Sequence, residues 1–514
     1  MLISKQSSFP FHYILFSFLP LYVLFTVNSA ELYLIDLFLA SVIIVIPAIL
    51  LWIGLTFLFK SSVKSGLFVS LSALTFFSYG YLYIIINQFV TIFEIPHWLF
   101  IIPFLLILFL GFIYCSKTCR KLNNATIILN VISITLILVS SIQLITDDFT
   151  YQYDHTSPYD FKDDIDISVK FGLTDSLDKY PDIYYIILDE YAGSKILENT
   201  FNFDNNEFIN FLNTNGFHTL ENTRSNYQQS FLSLSSSLNL QYLTELTNEI
   251  GINSKNRHLV VNSINDNRLM QILELNGYEI VNFYSGWGPT EYFKIVDQNR
   301  CEHTSFINSD LIVALISNSI LKPIYADLLL PNERSIVLCV FSELPELQFE
   351  SEKPLFVFAH MMIPHPPYIW GPNGEHKKVD SLSKGDVINN KQDYVDQIIF
   401  TNKMVQEMIT KLVENNERSE IIIIQSDHGH AFQMDYENPT KKMKHDRMSN
   451  ITYILLPDDN ENLLYDTITP VNIFRIIFNS YFNTDFELLE DRVYYSGSEK
   501  PYNFTDITHI FPDT

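Results

Sequence analysis

The chain has 514 residues, 47% of them hydrophobic, and a formal net charge of −25 at pH 7. Residues 1–146 contain six basic and three acidic side chains, so the rest of the chain contains 27 basic and 55 acidic ones, a net charge of −28. Such an acidic surface repels the phosphate backbone and argues against a nucleic-acid partner. The length and the uneven composition predict more than one domain.

Five apolar stretches occupy the first part of the chain. They run near 11–28, 33–59, 66–93, 98–115 and 125–145. Most of them have the roughly 20 residues that a bilayer span needs, and a cleaved signal peptide would be one short run. We therefore expect a transmembrane domain of about five spans over residues 1–146. Four or six spans are the alternatives, because the first stretch contains Pro20 and the fourth is short.

The charges between these stretches predict how the spans are oriented. Basic residues lie in two of the connections: Lys60, Lys64, Lys117, Arg120 and Lys121. The opposite connections contain Glu31 and Glu94 and no Lys or Arg. Since basic loops stay in the cytoplasm, the amino terminus is predicted to be cytoplasmic and everything after about residue 147 exocytoplasmic.

The remaining sequence has the pattern of an α/β domain. Strand-like segments at 183–188, 278–283, 355–359, 421–425 and 451–456 alternate with helix-like segments at 205–215, 268–275 and 393–416. This alternation predicts a mostly parallel central sheet with helices on both faces. We assign 147–180 to a connector and 181–514 to the catalytic domain. The predicted fold class is thus a multi-pass α-helical membrane domain followed by an α/β domain.

The four cysteines fall on both sides of the membrane in this topology. Cys115 and Cys119 are predicted to be cytoplasmic and reduced. Cys301 and Cys339 are predicted to be exocytoplasmic, where a disulfide is permitted. Because Cys339 lies in an apolar run at 336–340, we expect a buried free thiol there instead.

Two apolar strands end in residues that bind metals. One ends at Asp189, and the other is followed by Asp427, His428 and Gly429. Parallel strands present their carboxyl ends at one edge of the sheet, where α/β proteins place their chemistry. Oxygen and nitrogen ligands together suit Zn²⁺, Mn²⁺ or a similar ion. Adjacent side chains at a strand end point apart unless the backbone turns sharply, and Gly429 permits the turn that would bring Asp427 and His428 to one ion. The alternative is that Asp427 and His428 only cap the next helix.

Ser230 is the candidate nucleophile. It precedes a Leu-rich and Ser-rich segment that is predicted to form a buried helix, so Ser230 would stand in the first turn. Backbone N–H groups and the helix dipole favour an anion there, and a metal on the same oxygen would make it an attacking alkoxide. The serines from 233 to 237 are predicted to be small packing residues instead.

Two further side chains could contact an anionic substrate. His365 lies between prolines in the loop after the strand at 355–359, which suits a ligand for phosphate oxygens or for a second metal. Arg447 precedes the last strand and could pair with an anion in bidentate fashion.

These motifs occur in the order found in the sulfatase branch of the alkaline phosphatase superfamily. They are Ile-Leu-Asp-Glu at 187–190, Ser230 in its Ser-rich helix, Pro-His-Pro-Pro-Tyr at 364–368 and Ser-Asp-His-Gly at 426–429. Five spans ahead of such a domain resemble lipoteichoic acid synthases and, less closely, lipid A phosphoethanolamine transferases. The resemblance covers about 181–496 and is specific as to fold but loose as to substrate.

The resemblance implies an alkaline-phosphatase-like domain, a metal site and a reaction class. Its metal ligands would be Asp189, Ser230, Asp427 and His428, with one or two divalent ions (Mn, Zn, Mg or Ca), and Ser230 stands where the transferases usually have Thr. True sulfatases convert a Cys or Ser to formylglycine within Cys/Ser-x-Pro-x-Arg. Here the residues after Ser230 are Phe-Leu-Ser-Leu, which lack both the Pro and the Arg.

The predicted function is a membrane-anchored, metal-dependent hydrolase or transferase. It would act on phosphoglycerol-type or phosphoethanolamine-type groups of envelope lipid or glycan, with Ser230, His365 and Arg447 as catalytic residues. Its partners would be membrane lipid and a lipid-linked or glycan substrate, and the oligomeric state stays open. The alternatives are a sulfuric ester hydrolase without formylglycine and a non-catalytic envelope scaffold with a degenerate sulfatase fold.

Overall fold

The protein is described here by a computed structural model. The structure describes residues 8–29, 32, 34–89, 95–154, 167–171, 180–302, 310–349, 351–377, 390–414, 418–457 and 464–511. The chain divides into two compact units. The first, the helical unit, contains Met1–Thr156 and Thr304–Pro331, and the second, the sheet unit, contains Ser157–His303 and Asn332–Thr514.

The regular elements of the described residues alternate as the sequence predicts. The helices are α1 (His12–Val27), α2 (Leu34–Phe59), α3 (Ser62–Phe89), α4 (His97–Lys117), α5 (Asn123–Asp154), α6 (Ser194–Phe201), α7 (Asn206–Thr214), α8 (Ser230–Leu238), α9 (Leu246–Ile250), α10 (His258–Asn265), α11 (Arg268–Leu275), α12 (Asp310–Ser317), α13 (Tyr325–Glu343), α14 (Lys391–Glu414), α15 (Lys441–Met448) and α16 (Pro470–Tyr481). The strands are β1 (Asp182–Leu188), β2 (His218–Leu220), β3 (Glu279–Phe283), β4 (Gln298–Arg300), β5 (Leu355–Met361), β6 (Glu420–Gln425), β7 (Thr452–Leu455), β8 (Tyr494–Gly497) and β9 (Lys500–Asp506).

The helical unit is built from the five predicted apolar stretches. Within the described residues, the four helices α2 to α5 are long and apolar enough to cross a membrane. Helix α1 has 16 residues with Pro20 inside it, and it packs against α2, α3 and α5. The chain is therefore membrane-anchored, while the predicted count of five spans stays a prediction.

A segment from the second half of the sequence belongs to the helical unit. Residues Thr304–Pro331, here called the insertion, group with α1 to α5, whereas the sequence analysis assigned them to the catalytic domain. The Gly80 N–H donates to the Asn318 carbonyl (3.1 Å), and the Ile320 N–H donates to the Phe76 carbonyl (2.9 Å). A Cβ at position 80 would lie 2.6 Å from Asn318 Cα, so only glycine permits this approach. The predicted connector at 147–180 lies largely outside the described residues.

A disulfide joins the segment before the insertion to the segment after it. Cys301 and Cys339 are bonded, with their Cα atoms 5.8 Å apart and a separation of 38 positions in sequence. The expected free thiol at Cys339 is therefore wrong. The apolar run that contains it goes round more than one turn of α13, so that Ile336 and Val337 are buried, Leu338 is exposed and Cys339 is only half-buried. Cys115 and Cys119 are free thiols.

The sheet unit contains a seven-stranded sheet in the order β2-β7-β6-β1-β5-β3-β4. The five adjacent strands from β6 to β4 are parallel, and β7 runs antiparallel to both β6 and β2. Strand β1 is buried along its whole length, as expected of a parallel strand covered on both faces. The predicted fold class, helices that can span a membrane followed by an α/β domain with a mostly parallel sheet, is confirmed.

The register of β1 and β6 brings the two candidate metal-binding ends together. Ile187 lies opposite Gln425, so that Asp189 and Asp427 follow at the same sheet edge, two residues beyond this pair. Helix α8 lies beside them and packs against α10, α11 and α16. Its residues from Phe231 to Leu238 are all buried, which fixes the position of its first turn.

Candidate metal centre and nucleophile

Three predicted ligands meet at the carboxyl edge of the sheet. Asp189, Asp427 and His428 are all buried, and each offers one ligand atom such that these atoms lie within 4.8 Å of one another. Asp427 Oδ1 accepts the His428 N–H (2.9 Å) and the Glu190 N–H (3.3 Å). Among the described residues, Asp189 Oδ1 and Asp427 Oδ2 accept no hydrogen bond although they are buried. Two carboxylates that each have an unsatisfied oxygen, together with an imidazole, fit a divalent metal ion.

The electrostatics of these groups also suit a cation. Burial and the neighbouring Asp189 carboxylate raise the pKa of Asp427 well above its usual value. Burial and the adjacent Arg447 guanidinium lower the pKa of His428 to about 3, so its imidazole is neutral at pH 7. His428 Nδ1 lies 3.2 Å from the Gly429 carbonyl, which leaves the Nε2 lone pair to face Asp427 Oδ2 at 3.0 Å. A cation in this position would relieve the repulsion between the two carboxylates.

Ser230 is the first residue of α8, as the sequence predicts. Its Oγ lies 3.0 Å from His428 Nε2. The side chain is half-buried and therefore reachable from outside, unlike the serines that follow it in the helix. Helix α8 begins directly after Gln229, which has an extended backbone, so Ser230 lies in its first turn. The structure thus places Ser230 against His428, which is one of the three clustered candidate ligands.

Arg447 lies at this site with its donors engaged by the protein. Its Nη1 forms a buried ion pair with Glu190 Oε1 and also donates to the Gly429 carbonyl (2.8 Å). Its Nε donates to the Gln228 carbonyl (3.0 Å), and Nη2 lies 3.0 Å from His428 Nε2. A guanidinium held in this way fixes the positions of Glu190 and His428 at this edge of the sheet. Its predicted bidentate contact with substrate stays a prediction.

Glu190 is a site residue whose role the sequence analysis did not assign. It directly follows Asp189 and has a positive φ of 63°, a conformation that is costly for a residue with a side chain. Its Oε1 binds Arg447, and its buried Oε2 has no hydrogen-bond partner among the described residues. In the sequence, the two consecutive acidic residues at the end of the strand, Asp189 and Glu190, could have indicated that Glu190 belongs to the site.

The two histidines near β5 flank Asp189. His360 Nε2 lies 3.5 Å from Asp189 Oδ2, and its Nδ1 lies 2.9 Å from Thr290 Oγ1. His360 was not among the predicted site residues. His365 is half-buried, and its carbonyl accepts a hydrogen bond from Gln397 Nε2 (3.0 Å). Although burial opposes ionisation of Asp189, the nearby His365 and His360 hold the pKa of Asp189 below its usual value.

Glycine is required at position 429 for close packing, and not for the sharp turn that the sequence predicts. It is not in a positive-φ conformation, but a Cβ there would lie 2.4 Å from the Asp446 carbonyl oxygen and 2.5 Å from that of Ser449. The Gly429 N–H donates to the Arg447 carbonyl (2.7 Å). Glycine therefore lets the chain around α15 approach closely enough for Arg447 to reach the site.

The family of the chain follows from a comparison with family models. The model described as Sulfatase matches residues 185–461, a little more than half of the chain. The chain belongs to the sulfatase family. The matched range includes every predicted catalytic and metal-binding residue, from Asp189 to Arg447. The predicted resemblance to membrane-bound sulfatase-like proteins of the alkaline phosphatase superfamily is confirmed.

Solved structures similar to this sulfatase-family protein include both transferases and hydrolases. The integral membrane protein lipooligosaccharide phosphoethanolamine transferase A from Neisseria meningitidis has 12% identity and a TM-score of 0.43, over 90% of this chain and 94% of that chain. The periplasmic domain of a phosphoethanolamine transferase from Campylobacter jejuni has 13% identity and a TM-score of 0.39, over 63% and 94%. A phosphonate monoester hydrolase from Agrobacterium radiobacter has 11% identity and a TM-score of 0.38, over 62% and 80%. No curated protein matches the sequence of the chain.

Proposed function

We propose that this protein is a membrane-anchored, divalent-metal-dependent enzyme that cleaves or transfers phosphoester groups, with Ser230 as the nucleophile. The observation that carries the proposal is the position of Ser230 Oγ, 3.0 Å from His428 Nε2, beside two buried carboxylates with unsatisfied oxygens. A hydroxyl at a metal-binding edge is the arrangement that nucleophilic catalysis at phosphorus requires.

Asp189, Asp427, His428 and the Ser230 hydroxyl would hold one divalent ion, and the mixed oxygen and nitrogen donors favour Zn²⁺ or Mn²⁺. When bound, the ion supplies Lewis acidity, which lowers the pKa of the hydroxyl and balances negative charge. A second ion, if the protein binds two, would lie on the side of Asp189 that faces His360 and His365.

The reaction proceeds in two displacements at phosphorus. Ser230 Oγ forms a bond to phosphorus while the ester P–O bond breaks, and the proton of the hydroxyl passes to the departing alkoxide. Water or an acceptor hydroxyl then attacks the phosphoserine, releases Ser230 Oγ and returns a proton to it. His365 binds non-bridging oxygens of the phosphoryl group, while Arg447 holds Glu190 and His428 in place and adds positive charge.

Phosphoesters are the proposed substrates because Ser230 lacks the sequence context that yields formylglycine. The residues after it, Phe231 to Leu234, contain neither Pro nor Arg and are buried in α8. An unmodified hydroxyl attacks phosphorus directly. The alternative, a sulfuric ester hydrolase, would need a different nucleophile.

The substrate is proposed to be a phosphoglycerol-type or phosphoethanolamine-type group on envelope lipid or glycan. The membrane anchor holds the enzyme at the bilayer, and the distribution of Lys and Arg predicts an exocytoplasmic sheet unit. Both observations favour a lipid or lipid-linked substrate on the outer side.

The test compares an aryl phosphodiester with an aryl sulfate as substrates of the full-length, metal-loaded protein in detergent. We expect faster phosphodiester cleavage, loss of nearly all turnover in Ser230→Ala and measurable activity in Ser230→Thr, since threonine keeps the hydroxyl. Ser342→Ala, on the exposed face of α13, is the control and should leave the rate unchanged. Faster sulfate cleavage, or an active Ser230→Ala, would refute the proposal. A wild type that neither binds metal nor turns over would support the scaffold alternative.

A further inference from the structure

The helical unit contains a large apolar cavity that the proposed reaction does not use. Its volume is about 500 Å³, and its walls are residues of α1, α2, α3 and α4 together with the insertion. Small residues leave the space open, among them Ala40, Ala48 and Ala73. Packed protein interiors contain few voids larger than a water molecule, so a space of this size calls for an occupant.

Water is a poor occupant, because the few polar groups in the walls already have partners. The hydroxyls of Ser17, Ser72 and Ser319 donate to the carbonyls of Tyr13 (2.8 Å), Phe68 (2.9 Å) and Ile316 (2.8 Å). The rest of the lining is made of aliphatic and aromatic side chains and one proline. A bound water needs two to four polar partners, and an apolar cavity without them takes up apolar molecules.

The cavity is continuous with the surface that faces lipid. Ile43 and Leu51 both line it and are 41% and 45% exposed, so the cavity is open along this part of α2. Helix α2 is among the helices that can cross a membrane, so these side chains face the hydrocarbon region of the bilayer. The opening therefore leads to acyl chains and not to water.

We propose that this cavity binds one acyl chain of a bilayer phospholipid. A volume of 500 Å³ is roughly three times the ~150 Å³ that accepts a benzene ring, which corresponds to a long alkyl chain. The insertion provides one of the walls through Ile312, Leu315 and Ile316. The lipid thus fills the space between the insertion and the helices α2 and α3, and the contact is independent of catalysis at Ser230.

The test uses full-length protein in phosphatidylcholine vesicles that contain a phosphatidylcholine with a photoreactive diazirine in its acyl chain. After irradiation, mass spectrometry of peptides locates the labelled residues. We expect label on the insertion peptide that contains Ile312 to Ile316, in addition to outward residues such as Phe57. Ala73→Phe fills the cavity and should reduce the insertion label severalfold, whereas the control Ala125→Phe, on α5 and outside the cavity lining, should not.

A second variant covers the case in which Ala73→Phe does not fold. Leu51→Trp obstructs the opening from the half-exposed face of α2 and should also reduce the insertion label, with a thermal melt as the folding check. Insertion label that persists at the wild-type level in folded variants would overturn the proposal. So would wild-type label confined to outward residues.

Discussion

At the scale of single residues, Asp427 combines two kinds of contact in one carboxylate. Its Oδ1 is fixed by the backbone N–H groups of His428 and Glu190, so its Oδ2 is free to face the ligand set. A side chain oriented in this way binds a metal without rearrangement. Its removal should therefore affect the metal site more than the fold.

We predict that Asp427→Asn loses the metal and keeps the fold. The amide removes one of the negative charges that attract the cation, and it is nearly isosteric with the acid. Elemental analysis of the purified full-length protein should show no bound divalent metal, with a melting temperature near that of the metal-free wild type. Asp435→Asn, outside the cluster, is the matched control and should bind metal normally. Full metal content in Asp427→Asn would show that Asp427 is not a ligand.

We predict that the metal-free protein loses stability as the pH falls from 6.5, in part through His428. Its pKa is lowered to about 3 by burial in the folded state, so the unfolded chain binds one more proton between these pH values. At pH 5 the loss from this group is about 2 kcal/mol. Thermal melts at pH 7 and pH 5, recorded with a chelator, should show a smaller decrease for His428→Gln than for the wild type. An equal decrease in melting temperature for the two proteins would show that His428 does not contribute to the pH dependence of stability.

At the scale of elements, the sequence predicts some features of the sheet unit well, for physical reasons. The segments at 183–188 and 421–424 are continuous apolar runs, and so short a run is typical of a strand that is covered on both faces. Their alternation with amphipathic helices then implies a parallel sheet, and a parallel sheet implies that Asp189 and Asp427 share an edge. Each step depends on local sequence or on topology.

The remaining features depend on contacts between distant residues. The pairing of Glu190 with Arg447 spans 257 residues, and no local pattern indicates it. Similarly, the apolar run of α12 predicts burial but not the unit in which it is buried. The run around Cys339 is compatible with either a strand or a helix, and the structure has it in α13, where Cys339 is bonded to Cys301.

We predict that the disulfide stabilises the protein through the loop that it closes. A bridge between two cysteines 38 positions apart reduces the number of conformations open to the unfolded chain, and this is worth about 2–4 kcal/mol of stability. The double variant Cys301→Ser with Cys339→Ser should melt at a lower temperature and be cleaved faster by protease between residues 302 and 338. The control is Cys119→Ser, which removes an exposed free thiol and should change neither property. Equal melting and protease resistance would argue against a structural role for the bridge.

At the scale of the whole molecule, the distribution of charge predicts the topology. The basic connections at 60–65 and 116–124 are expected in the cytoplasm, and the acidic remainder after 147 is expected outside. We predict that a thiol reagent that cannot cross the membrane labels Lys500→Cys in intact cells and labels Leu122→Cys only after permeabilisation. Both variants carry Cys119→Ser to remove the exposed native thiol. Labelling of both positions from the same side would contradict the topology.

Peptide mass spectrometry after a rapid acid quench tests whether Ser230 forms a covalent bond to phosphorus. Metal-loaded full-length protein is mixed with an aryl phosphodiester and quenched during turnover. We predict that the peptide containing Ser230 gains the mass of the transferred phosphoryl group, that the gain requires the metal, and that it is absent in Ser230→Ala. Turnover of the phosphodiester with the adduct on another residue, or with direct attack by water and no dependence on Ser230, would contradict the account.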